Sequence, residues 1–142
     1  MIRQRARVLA ISDLSCLLLF LVPIFQSGCA FCSGQLQMEV TSPDGRFEAV
    51  VYARECGATS WYTTEVSILP LGAAVKGDWG NIMTADDHDG QLKLPLTGVG
   101  VLKGMEVRWA SNRELVVSYP AAAEVGKKQK LSQGITITYV AR

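Results

Sequence analysis

From residue 35 onward the apolar residues of this chain fall on every second position, and that period of two decides what it can fold into. Successive side chains of a strand point to opposite faces, so alternation gives one face to a core. A helix instead needs apolar residues three and four apart, and no window of this stretch sustains that spacing. Over 35–40, Leu36, Met38 and Val40 share a face. Over 46–54, Phe47, Ala49, Val51 and Ala53 share one face, and Val50 and Tyr52 the other. Ser42-Pro43-Asp44-Gly45 lies between them. Pro presets φ and Gly accepts a positive φ, so the two runs form a hairpin. After Cys56-Gly57-Ala58-Thr59 the alternation resumes over 60–69, with Tyr62, Thr64, Val66 and Ile68 set against Trp61, Thr63, Glu65 and Ser67. Glycine and proline punctuate 70–100, which leaves short strands at 81–84 and 91–94. Three clearer runs follow at 105–110, 114–119 and 135–140, with Ser111-Asn112-Arg113 as the loop of a second hairpin. About seven strands predict an all-β fold: a small antiparallel β-sandwich or rolled meander, preceded by an N-terminal apolar helix.

That helix is the targeting segment. Residues 1–7 carry Arg3, Arg5 and Arg7 and no acid. Residues 14–25 are a nearly unbroken apolar run, and the small residues Ser27, Gly28, Cys29 and Ala30 follow. Basic, apolar and small-residue regions in that order make a signal peptide. Three fates are compatible with it. Cys29 is lipidated after Ser27-Gly28, with Gln26 where an aliphatic residue is usual. Alternatively the chain is cut after Ala30. In the third case residues 8–25 stay as a signal anchor, at the short end for spanning and carrying Asp13. In each the arginines stay inside and the domain is exported, on the periplasmic or extracellular face. The division is therefore 1–29 signal peptide or membrane anchor, 30–34 short stalk, and 35–142 a single all-β domain. Without residues 1–29 the 14 basic and 13 acidic residues become 11 and 12, a net of −1. No basic face is left for a nucleic acid.

An exported domain meets oxidising conditions, which favours a disulfide between Cys32 and Cys56 once Cys16 is assigned to the apolar run and Cys29 to the lipid. The competing pattern, Cys29-Ala30-Phe31-Cys32, is a lone C-x-x-C with no second pair or nearby His to complete a zinc site.

The Ser42-Pro43-Asp44-Gly45 turn, Cys56-Gly57-Ala58-Thr59, and the run Thr64-Glu65-Val66-Ser67-Ile68-Leu69-Pro70 resemble a group of small uncharacterised bacterial exported proteins and lipoproteins. Val107-Arg108-Trp109 and the stretch 115–120 fit the same pattern. The resemblance covers most of 40–120 and implies export and the domain boundaries, with no function attached. The turn also looks like those of propeller blades, but a propeller repeats it about every 40 residues, and here it occurs once.

The one cluster with chemistry in it is Asp86-Asp87-His88-Asp89-Gly90, three carboxylates and the single histidine. Set on a calcium loop with Gly90 at the sixth position, it places Ala85 at position one and Leu96 at position twelve, where a bidentate Glu belongs, so the loop fails. The plain reading is a solvated acidic turn. The sharper one is a divalent cation on Asp86, Asp87, His88 and Asp89, serving a small metal-assisted hydrolase. Glu48, Glu55 and Glu65 read as solvated strand residues. At least two of Trp61, Trp79 and Trp109 read as core, and Lys127, Lys128 and Lys130 as a solvated loop. No nucleophile has a base placed beside it by the sequence. The expectation is a non-enzymatic binding or interaction module, tethered to the membrane by its N-terminal segment. It has no cofactor and no nucleic acid, and its partner is an envelope protein or a ligand.

Overall fold

A computed structural model describes residues 32–57, 61–75 and 80–142. The signal segment, the N-terminal helix, the lipidation candidate Cys29 and Trp79 lie outside the described residues. Within them the chain is all-β, with nine strands: β1 (Ser33–Thr41), β2 (Phe47–Glu55), β3 (Thr63–Pro70), β4 (Met83–Asp86), β5 (Glu106–Ser111), β6 (Glu114–Tyr119), β7 (Glu124–Lys128), β8 (Leu131–Ser132) and β9 (Ile135–Ala141). They form two sheets, one ordered β1-β2-β3-β4-β7 and the other β5-β6-β9-β8.

The first hairpin closes as its turn residues require. The Gly45 N–H donates to Ser42 O at 2.9 Å and Gly45 takes φ +67°. The Ser42 hydroxyl donates to Asp44 at 2.7 Å, and that bond holds the Asp44 carboxyl below its ordinary range. The second hairpin turns through Asn112-Arg113 between β5 and β6.

Four features differ from the expectation. The pair β6–β9 is parallel, so the second sheet is mixed. Residues 91–94 are turn and irregular chain, not a strand. The extra strands β7 and β8 lie in the lysine-rich stretch read as a loop: Lys127 and Lys128 pair with Thr84 and Met83 of β4. Ser33 and Gly34, placed in the stalk, belong to β1.

One hydrophobic cluster joins the two sheets. Ala49, Val51, Val66, Ile68 and Met83 come from the first sheet, and Val107, Leu115, Val117, Ile135 and Ile137 from the second, all buried. Between β4 and β5 the chain has no regular strand, yet Val101 and Leu102 plug the core, and the Leu102 N–H donates to the Thr64 hydroxyl at 2.9 Å. Trp109 is buried and its indole N–H donates to Val40 O at 2.8 Å, tying β5 to β1; Trp61 is half-exposed. The strands β2 and β3 are buried on both faces, not one.

Candidate functional site

The residues Asp86, Asp87, His88 and Asp89 leave β4 and turn back tightly. His88, Asp89 and Gly90 all take positive φ, at 55°, 52° and 80°, a conformation that Asp and His accept more readily than most residues because short polar side chains can bond locally. Asp86 and Asp87 spend their carboxylates on that turn. Asp86 accepts the His88 N–H at 2.7 Å, and Asp87, only 2% exposed, accepts the Gly90 N–H at 2.8 Å. Asp87 is therefore an internal cap, while His88 and Asp89 stay exposed at the tip of the turn. Gly90 has no room for a side chain, because a Cβ would come within 2.8 Å of the Trp61 indole.

The His88 imidazole pairs through Nδ1 with Oε2 of Glu124, a residue that sequence reasoning passed over. This bond holds His88 above its ordinary value. Partial burial, then Glu124, Asp89 and Asp87, raise Asp86. Among the described residues no three or more His, Cys, Asp or Glu side chains are grouped to hold a metal ion. The structure brings His88 to Glu124 and does not bring Asp86, Asp87, His88 and Asp89 together around a common point.

A second polar set lies on the face of the first sheet turned away from the core. Strand register places Tyr52, Glu65, Thr84 and Lys127 in one row across β2, β3, β4 and β7. Glu65 is completely buried. Its Oε2 accepts the Gly80 N–H at 2.6 Å, and its Oε1 has no partner among the described residues. Burial pushes the Glu65 carboxyl from 4.5 up to about 7; the Gly80 hydrogen bond and the charges of Arg54 and Lys127 oppose the rise. The Lys127 ammonium donates to Gly80 O at 3.1 Å. Gly80 must be glycine for this approach, since a Cβ would lie 2.4 Å from Met83 O and 2.8 Å from Glu65 Oε2. Asn81 completes the seam, with its side chain bonded to both the N–H and the C=O of Ile68. Alternation alone makes Glu65 a solvated strand residue, and the fold buries it instead. The available signal was that Val50 and Tyr52, its neighbours on the same face of β2, are apolar, which marks a face that something covers.

Cys32 and Cys56 are joined by a disulfide, one register step beyond the Ser33–Glu55 pair of β1 and β2. The Arg54 guanidinium donates to Cys32 Sγ at 3.2 Å. No protein-family model, curated protein or solved structure matches this chain.

Proposed function

We propose that this chain is a non-enzymatic binding module held at the bacterial cell envelope, on the periplasmic or extracellular face, by its N-terminal segment. On this reading an N-terminal apolar helix precedes a two-layered sandwich. The observation that carries the proposal is the Cys32–Cys56 bridge. Disulfides persist in exported proteins and are rare where thiols are kept reduced, and this one follows directly on a segment with the order of a signal peptide. The position of the bridge supports the tether as well. Cys29 is three residues before Cys32, so a lipid on Cys29 would hold the root of β1 against the membrane surface.

The polar residues support binding better than turnover. Asp86 and Asp87 are engaged in closing their own turn, and His88 is engaged by Glu124, so the metal-assisted hydrolase gains no geometric support from them. Fractionation of cells producing the full chain tests the module, together with thiol alkylation and palmitate labelling of the native chain and a Cys29→Ala variant. Envelope-bound protein with Cys32 and Cys56 oxidised is the expected result. Cytoplasmic protein with both thiols free would overturn the proposal. Loss of label and of membrane association in Cys29→Ala would identify the lipid, and membrane association in both proteins with label in neither would identify the signal anchor.

A further inference from the structure

The second sheet turns a charged face outward. Glu106 and Arg108 on β5 are two residues apart and so share that face; register sets Ser118 of β6 opposite Glu106 and Val116 opposite Arg108. Ser118 also pairs with Val140 of β9, which brings Arg142, two residues further along, to the same end. These residues line a cleft of about 320 Å³, walled on its apolar side by Met38 of β1 and by Val107.

Three facts about the cleft point to an anion. First, Arg108 has no ion pair or hydrogen bond with any described residue, and its charge faces the cleft uncompensated. Second, Ser118 is 3% exposed, yet its hydroxyl bonds to no described residue. Ser118 lines the cleft, so its unengaged hydroxyl is within reach of whatever enters. Third, the one carboxylate present, Glu106, already sits on the other guanidinium: Arg142 Nη1 donates to Glu106 Oε2 at 2.9 Å. That pair is more than half exposed on both sides, and exposed pairs of this kind contribute little and exchange readily. Glu106 therefore shows where an oxyanion is held and is weakly enough bound to be displaced.

We propose that this cleft binds a small organic anion. Its carboxylate or phosphate head is held by Arg108, Arg142 and the Ser118 hydroxyl, and a short apolar body lies along Met38 and Val116. Guanidinium groups grip such heads through paired N–H donors, which is why Arg serves better than Lys at a site of this shape. At roughly 30 Å³ for each water-sized group, the cleft holds about ten non-hydrogen atoms. The inference rests on reading the domain as a binding module and adds the class of its ligand.

The test is a titration of the full chain in detergent micelles, followed by amide chemical shifts. Butyrate, acetate and inorganic phosphate are the probes, and sodium chloride at matched ionic strength is the control. Saturable shifts centred on Arg108 and Ser118 are expected, with butyrate tighter than acetate if the apolar wall contributes to a carboxylate site. Phosphate tighter than butyrate would instead identify a phosphate head. Arg108→Ala should weaken binding at least tenfold and Ser118→Ala several-fold. Glu106→Gln, which removes the internal competitor, should tighten it several-fold. Equal shifts with chloride, or an Arg108→Ala variant that binds as well as the native chain, would overturn the proposal. Export and oxidation are read separately: an exported, oxidised protein indifferent to all three probes would overturn this site and leave the envelope module standing.

Discussion

Replacing Glu65 with Gln keeps the side chain's size and the acceptor that the Gly80 N–H uses, and removes only the ability to ionise. The carboxyl sits at about 7 in the fold against 4.5 as its ordinary value. Between those two pH values the folded chain therefore holds a proton that the unfolded chain has released. By linkage, stability is greatest below 4.5, falls as pH rises through the window, and levels off above about 7. At about 1.4 kcal/mol per pH unit, the window from 4.5 to about 7 amounts to a loss on the order of 3 kcal/mol. Gln has no such loss. At low pH the two should be nearly equal, because protonated Glu and Gln each leave one polar atom without a partner at the position of Oε1. The variant should then gain steadily, reaching about 2–3 kcal/mol above native near pH 8. Urea denaturation of the chain from Cys32 onward, followed by tryptophan fluorescence across this pH range, reads the difference directly. His88 titrates in both proteins and cancels to first order. A gap that does not change with pH would refute the reasoning. So would a Gln variant less stable than native at pH 8, which would mean that Arg54 and Lys127 hold Glu65 ionised inside the fold.

Removing the Cys32–Cys56 bridge by paired Ser substitution should cost roughly 3 kcal/mol from the chain entropy of a loop with separation 24; urea midpoints that do not move, with or without reductant, would argue against it. Because Glu124 raises His88, their pair contributes fully below the ordinary His value near 6.5 and fades as pH rises through the folded value. Glu124→Gln should therefore lower the melting temperature more at pH 6 than at pH 9, and an equal drop at both would count against the pairing. Substituting Asn for Asp86, Asp87 and Asp89 together should leave folding nearly intact, since Asn keeps the acceptors used by the His88 and Gly90 N–H groups. Asp87→Ala should cost about 1–2 kcal/mol by leaving a buried donor unmatched. A rise of several degrees with calcium, manganese or zinc in the native chain, absent from the triple variant, would return residues 86–89 to the status of a cation site.

What the sequence disclosed was the part of the fold that depends on local pattern. The Ser42–Gly45 turn, the run 114–119 and the Cys32–Cys56 pairing follow from turn chemistry, alternation and compartment. The strands that escaped notice have no apolar face to reveal them. β7, Glu-Val-Gly-Lys-Lys, is an edge strand in which only Val125 packs on the core, so its strand character comes from pairing with β4. Residues 91–94 had the composition of a strand, but Leu92 is half-exposed and Lys93 takes φ +51°, so no ladder forms. The candidate site was half visible. The acidic loop was evident as a string of charges, yet its partner Glu124 lies 36 residues on and meets His88 only because β7 pairs with β4. Glu65, Arg108 and Ser118 were ordinary members of alternating runs, and only the stacking of several strands gives them neighbours.

The route of the chain between β6 and β9 has a consequence for how the protein comes into being. After β6 the backbone leaves the second sheet and lays β7 against β4 in the first. It then returns through β8 to place β9 between β8 and β6, parallel to the latter. Each sheet thus waits on the same C-terminal stretch. A chain emerging N-terminus first can zip the adjacent pairs β1–β2, β2–β3, β3–β4 and β5–β6 by short-range closure, but β4 and β6 then present open edges, which are sticky towards other chains. Residues 124–141 cap both edges in one event, so the two layers lock together. No cut in the chain yields one complete sheet without taking a strand from the other, and copies interrupted before that last segment should be the ones that clump.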